Sequence, residues 1–274
     1  MFKLPPQMAV LSQDLWYDTL KTVLAPVVKN QLVNTTISGL ENIPPTGPAL
    51  LVPNHRTMTD PFILSAELPR RVHWVVAAFM SRLPITREMV RSTGNIVLPV
   101  SKGGRSQELM LKAKRLLLRG RMVGVFPEGV DNFVNGSPPG TVSPFHSSFA
   151  RLLMQMQIPD LPVIPIAITG DEEEVLLRIP GAVLRQLDPG NQSWDRGEVL
   201  GVVYREARIT IGKPLAFDNF YDLPPEREEE AVKRIVKVVR DEVVALAEGK
   251  PSPVAKPVRG RKPMTGPLFD ESDF

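Results

Sequence analysis

The sequence predicts an α/β domain, a mixed and largely parallel sheet of about seven strands flanked by helices, with an N-terminal amphipathic helical segment in front of it. Two observations carry this. Short apolar, β-branched runs alternate along the chain with stretches of helical spacing. The length of 274 residues suits one large domain better than two small ones. Strands are expected at 34–39, 49–53, 73–79, 96–100, 122–126, 163–169 and 207–211, and helices at 61–67, 105–118, 147–157 and 225–248. The last helix opens on Glu226, Glu228, Glu229 and Glu230, whose charges complement the positive end of its dipole.

Three segments follow from this pattern. Residues 1–30 form the N-terminal segment, with Leu11, Leu15, Leu20, Leu24 and Val28 at helical spacing beside Trp16, and Pro26 ending or kinking the helix. Such a helix either lies in a membrane interface or packs on its own domain. Residues 31–248 form the α/β domain. Residues 249–274, rich in proline, glycine and charge, read as a disordered tail.

Composition narrows the chemistry. There are no cysteines, which removes disulfides, thiolate nucleophiles and cysteine metal sites and suits a reducing compartment. No run of about 18 apolar residues occurs, and charged residues interrupt the N-terminal apolar stretch, so neither a spanning helix nor a secretory signal is expected. The net charge is only +3, but Lys102, Arg105, Lys112, Lys114, Arg115, Arg119 and Arg121 face Glu108 alone between residues 102 and 121. That stretch favours anionic partners such as a phospholipid surface or acyl-CoA. Nucleic acid is not expected, because aromatics are 6% of residues and none interleave with these charges as a stacking platform requires.

Three motifs carry the functional reading. In Pro48 to Phe62 a buried strand ends in Asn54-His55, and Asp60-Pro61 opens the next helix, with Asp60 suited to cap it. Ligands gather at such strand-to-helix turns. A histidine there can act as general base toward an alcohol, with a carboxylate holding its ring and stabilising the imidazolium that forms. In Val123 to Phe133 a second apolar strand runs into Phe126-Pro127-Glu128-Gly129, where glycine permits a tight turn and Glu128 can accept hydrogen bonds from substrate hydroxyls. In Leu161 to Gly170 a third apolar strand contains Pro162 and Pro165, which makes it an edge strand or a bulged one. His73 and His146 are expected to be structural or solvent-exposed. A serine hydrolase is excluded, because no Gly-x-Ser-x-Gly elbow occurs.

The order and spacing of these three motifs, over roughly Val33 to Pro214, resemble the glycerolipid acyltransferase superfamily, which includes the lysophosphatidate (1-acyl-glycerol-3-phosphate) acyltransferases. The resemblance implies that His55 deprotonates the acceptor hydroxyl, which attacks the thioester of acyl-CoA or acyl-ACP, and that Asp60 orients His55. It implies that Glu128 and Gly129 help bind a lysolipid acceptor and that Pro165 lies on the acyl or donor side. It implies no metal or other cofactor, and a peripheral enzyme on the cytoplasmic face of an anionic membrane. Relatives with phosphorylated acceptors tend to carry arginine where this chain has Val100 and Asp131. Lys102 and Arg105 are the nearest basic residues able to replace that contact, and an unphosphorylated lipid or sugar hydroxyl is the alternative. A non-catalytic membrane-surface protein of the same fold is the third reading.

Overall fold

The structure is a computed structural model that describes residues 34–77, 80, 94–98, 105–134, 136–189 and 191–253, with the side chains of 105–107 not described. The expected N-terminal helix, Val100, Lys102 and most of the expected tail lie outside the described residues.

Seven strands form one sheet: β1 (Asn34–Ser38), β2 (Ala49–Pro53), β3 (Val72–Val76), β4 (Ile96–Val97), β5 (Met122–Gly124), β6 (Val163–Pro180) and β7 (Glu198–Ile211). Their spatial order is β1-β7-β6-β2-β5-β3-β4, parallel throughout except for the antiparallel pair β6 and β7. The helices are α1 (Asp60–Glu67), α2 (Arg105–Leu118), α3 (Ser148–Met156), α4 (Gly181–Leu187) and α5 (Glu228–Ala247).

β2 reads as an unbroken apolar run because both of its faces are buried. Leu50 and Val52 point into a core shared with Ala113 and Leu117 of α2, Phe149 and Leu153 of α3, and Val232, Ile235 and Val239 of α5. Ala49 and Leu51 point the other way, onto Ile63, Leu64, Leu68 and Trp74. α5 places Ala231, Val232, Ile235, Val239 and Val243 on one buried stripe at helical spacing. It ends in a paired reversal, with Gly249 N–H donating to Leu246 O at 3.2 Å and Lys250 N–H to Ala245 O at 2.8 Å, for which Gly249 takes φ 66°.

Two expectations are corrected. The strand expected at 163–169 continues to Pro180, the one expected at 207–211 begins at Glu198, and together they form a long hairpin that also carries the unexpected helix α4. The Pro165 strand is not an edge, since β6 lies between β2 and β7. It is bulged beside that proline. Ile166 pairs with Ile211 but Val163 pairs with Leu215, so three steps on β6 face four on the partner. Pro165 O accepts from Gly212 N–H at 2.9 Å, and its missing N–H falls where the regular ladder has already ended.

Candidate active site

Parallel register explains how the first two motifs meet. Ala49 pairs with Met122 and Leu51 with Gly124. The same offset carried past the strand ends sets His55 beside Glu128. There the backbone N–H of His55 donates to Glu128 Oε2 at 2.7 Å. On the other side of β2, Asn54 prolongs the sheet with its side chain. Its Nδ2 donates to Ile168 O at 2.9 Å, and its Oδ1 accepts from Ile168 N–H at 2.7 Å. The chain therefore leaves the sheet at His55 with both flanks pinned.

His55 Nδ1 lies 2.9 Å from Asp60 Oδ2. The imidazole is stacked on Phe126, with ring centroids 4.1 Å apart, and meets Phe133 edge-on at 4.7 Å. The His55 side chain remains 14% exposed whereas Asp60 is fully buried, so the ring alone reaches solvent. Among the described residues no protein group is hydrogen-bonded to Nε2, which leaves that nitrogen available to a substrate.

Asp60 does not cap α1 as expected. Its carboxylate turns back toward the loop, where Oδ2 accepts from the backbone N–H groups of Arg56 at 2.7 Å and Thr57 at 2.9 Å. Its Oδ1 accepts from Thr57 Oγ1 and from Tyr204 Oη of β7, each at 3.0 Å. Arg56, also buried, forms a forked ion pair with Glu173 of β6, Nη2 to Oε2 being 2.6 Å. Tyr204 and Glu173 were missed from sequence. They lie far along the chain, in the hairpin arm that sequence reasoning left unassigned.

Glu128 was expected to meet the acceptor. The structure buries it completely and gives its oxygens to the protein: Oε2 accepts from His55 N–H and from Asn132 Nδ2 at 2.6 Å, and Oε1 accepts from Ser143 N–H at 2.7 Å. Burial pushes this carboxyl up to about 8, against the pull of the His55 and Ser143 amides, with Asp60 adding to the rise and Arg240 opposing it. Arg240, from α5, donates to Val142 O at 3.0 Å and Ser143 O at 3.2 Å and so steadies the segment that holds Glu128. Gly129, with φ 62°, makes the tight turn and lies against His146. Asp131 forms an ion pair with Arg196, and its Oδ2 lies 3.2 Å from His146 Nε2. His73 is buried, its Nδ1 3.0 Å from Gly94 O. Pro165 is buried within the sheet, and Arg105 opens α2.

The fold and a family match together support a domain of the glycerolipid acyltransferase superfamily. Residues 34–169 match the model of the family described as Acyltransferase. A protein of Mycobacterium leprae named only as uncharacterised is 36% identical over 101 residues, or 34% of this chain and 25% of that protein, so the match spans a quarter of the relative's length. The crystal structure of the 1-acyl-sn-glycerophosphate acyltransferase PlsC from Thermotoga maritima superposes with a TM-score of 0.50, covering 86% of this chain and 83% of that one at 17% identity. That likeness is one of fold. No helix among the described residues is long and apolar enough to cross a membrane.

Proposed function

We propose that this chain transfers a fatty acyl group from the thioester of acyl-CoA or acyl-ACP to a lipid hydroxyl, with 1-acyl-glycerol-3-phosphate as the first-choice acceptor, in phospholipid biosynthesis. The observation that carries it is the His55–Asp60 contact of 2.9 Å, at the C-terminal end of a central strand and inside the family-matched residues. Asp60 keeps the ring proton on Nδ1 and leaves Nε2 as the base. Nε2 takes the proton of the acceptor hydroxyl as its oxygen attacks the thioester carbonyl carbon. The tetrahedral intermediate collapses with C–S cleavage, and the imidazolium returns its proton to the departing thiolate. No metal, cofactor or acyl-enzyme is needed. Glu128 acts here by fixing the backbone of His55, and Gly129 shapes the adjacent turn.

Acceptor phosphate, on this reading, is met by Lys102 and Arg105, the basic residues that follow Val100 in the sequence. Asp131 favours the second reading, an unphosphorylated lipid or sugar hydroxyl, because it places a carboxylate where phosphate-using relatives tend to carry arginine. The test is purified protein with labelled acyl-CoA and a panel of phosphorylated and neutral lysolipids, run beside His55→Ala. Transfer to lysophosphatidate by the wild type alone supports the first reading, and preference for neutral acceptors supports the second. Transfer undiminished in His55→Ala removes the mechanism.

The protein is further proposed to be peripheral, on the cytoplasmic face of a membrane, with α2 toward anionic lipid. Each basic residue near such a surface contributes about 1 kcal/mol, screened by salt. Sedimentation with anionic vesicles should weaken as salt rises and after charge reversal at Lys112, Lys114 and Arg115. Equal binding to neutral vesicles at every salt concentration would contradict this role of α2.

A further inference from the structure

The hairpin of β6 and β7 touches the His55 loop twice, through Glu173 to Arg56 and through Tyr204 to Asp60. Both hairpin residues lie beyond residue 169, where the family match ends. We propose that Tyr204 is a positioning residue that tunes the proton affinity of His55 by acting on Asp60, so that the hairpin forms part of the catalytic apparatus. The proposal rests on the reading of His55 as general base.

The physical argument starts from the number of donors on Asp60. Besides His55 it receives two backbone amides, the Thr57 hydroxyl and the Tyr204 hydroxyl. Each bond to a carboxylate disperses its negative charge and weakens its hold on the imidazolium opposite. The amides and Thr57 belong to the His55 loop itself. Tyr204 comes from a strand 144 residues away and is fully buried. Its phenol is held well above its ordinary range by burial and by Asp60, so it stays a neutral donor at any working pH. The other titratable groups around the loop are fixed in their own contacts: Arg56 with Glu173, and Glu128 with the His55 amide, near Arg240. Tyr204 is therefore the group whose removal alters Asp60 while leaving the loop backbone contacts in place.

The test follows the His55 ring directly, by NMR of its Cε1–H through a pH titration, and does not require turnover. In Tyr204→Phe, Asp60 loses one donor, its charge is less dispersed, and the ring should protonate at a pH higher by about half a unit to one unit. The acid limb of kcat/KM should move the same way. A second measurement keeps the packing intact. The chain has three tyrosines, Tyr17, Tyr204 and Tyr221. Labelling with 3-fluorotyrosine makes the phenol a stronger donor and should shift the His55 titration to lower pH. Opposite shifts in the two samples establish the proposal. A purely packing role for Tyr204 would leave the fluorotyrosine sample unmoved, and an unmoved or same-direction titration there overturns the proposal, even where Tyr204→Phe does not fold. Failure of the base reading shows separately, as full acyl transfer by His55→Ala.

Discussion

His55 and Asp60 are linked by one contact but depend on the fold in different ways, and their variants should separate accordingly. His55 presents a partly exposed ring between Phe126 and Phe133, and nothing among the described residues relies on its Nε2. Truncation in His55→Ala should cost about 10²–10⁴-fold in kcat, the usual loss for a general base, with little change in unfolding temperature. Asp60 is fully buried and accepts from Arg56 N–H, Thr57 N–H, Thr57 Oγ1 and Tyr204 Oη. An amide in its place turns one acceptor into a donor facing donors, and each buried group left unpaired costs about 1–3 kcal/mol. Asp60→Asn should therefore lose both activity and several degrees of unfolding temperature. Equal thermal stability in the two variants would contradict this account of Asp60. The spacing of His55 and Asp60 was legible in the sequence because a single loop joins them. Tyr204 and Glu173 were not, because their approach depends on which strands lie next to β2, and no local pattern encodes that.

The same contrast holds for elements. β2 and α2 were legible, the first from its unbroken apolar run and the second from its helical spacing, and α2 covers Arg105–Leu118 as expected. The outer half of the hairpin was not legible. In Glu172–Pro180 nearly every side chain is exposed or half-exposed on both faces, so the strand carries no alternation of buried and exposed residues to read. Its run of glutamates looks like a solvated loop, and only pairing with β7 makes it a strand. The short strand β5 shows how an element transmits its packing to the site. A Cβ on Gly124 would fall 2.2 Å from the Trp74 ring, which stacks on Phe126 at 4.9 Å, which in turn stacks on His55 at 4.1 Å. Gly124→Ala must displace a buried tryptophan and with it the support of the His55 ring. The expected loss is about 1–3 kcal/mol in a denaturant melt, together with a fall in kcat. Gly140→Ala, where a Cβ meets nothing within 4 Å but φ is 75°, serves as a control that strains the backbone without touching this stack. Full activity in Gly124→Ala would mean that Trp74 and Phe126 do not hold the ring.

Across the whole molecule the two ends of the sheet carry different burdens. At the N-terminal end of β2 and β5, Arg70 donates to Pro44 O and Gly47 O at 2.7 Å and to Gly120 O at 2.9 Å, tying the strand entrances together. At the C-terminal end the loops are tied by carboxylates instead, Asp60 for one and Glu128 for the other. Glu128 makes the stability of the fold depend on pH. Its folded carboxyl is raised from 4.5 to about 8 by burial, so the folded chain holds a proton there that the unfolded chain releases. Between these two values the folded state binds more protons than the unfolded state. The contribution is therefore fully present below about 4.5 and is lost as pH rises through about 8. Unfolding temperature should fall as pH is raised from 5 to beyond 8, in the range where exposed carboxylates have finished titrating. Glu128→Gln cannot ionise, so it should be less stable than the wild type at pH 5 only by the cost of its altered hydrogen bonds, and its slope between pH 5 and 9 should flatten. The wild type and the variant would then converge as the pH rises. Calorimetry at five pH values on both proteins checks this. Parallel slopes would show that Glu128 is ionised throughout, held as an anion by the His55, Ser143 and Asn132 donors despite its burial.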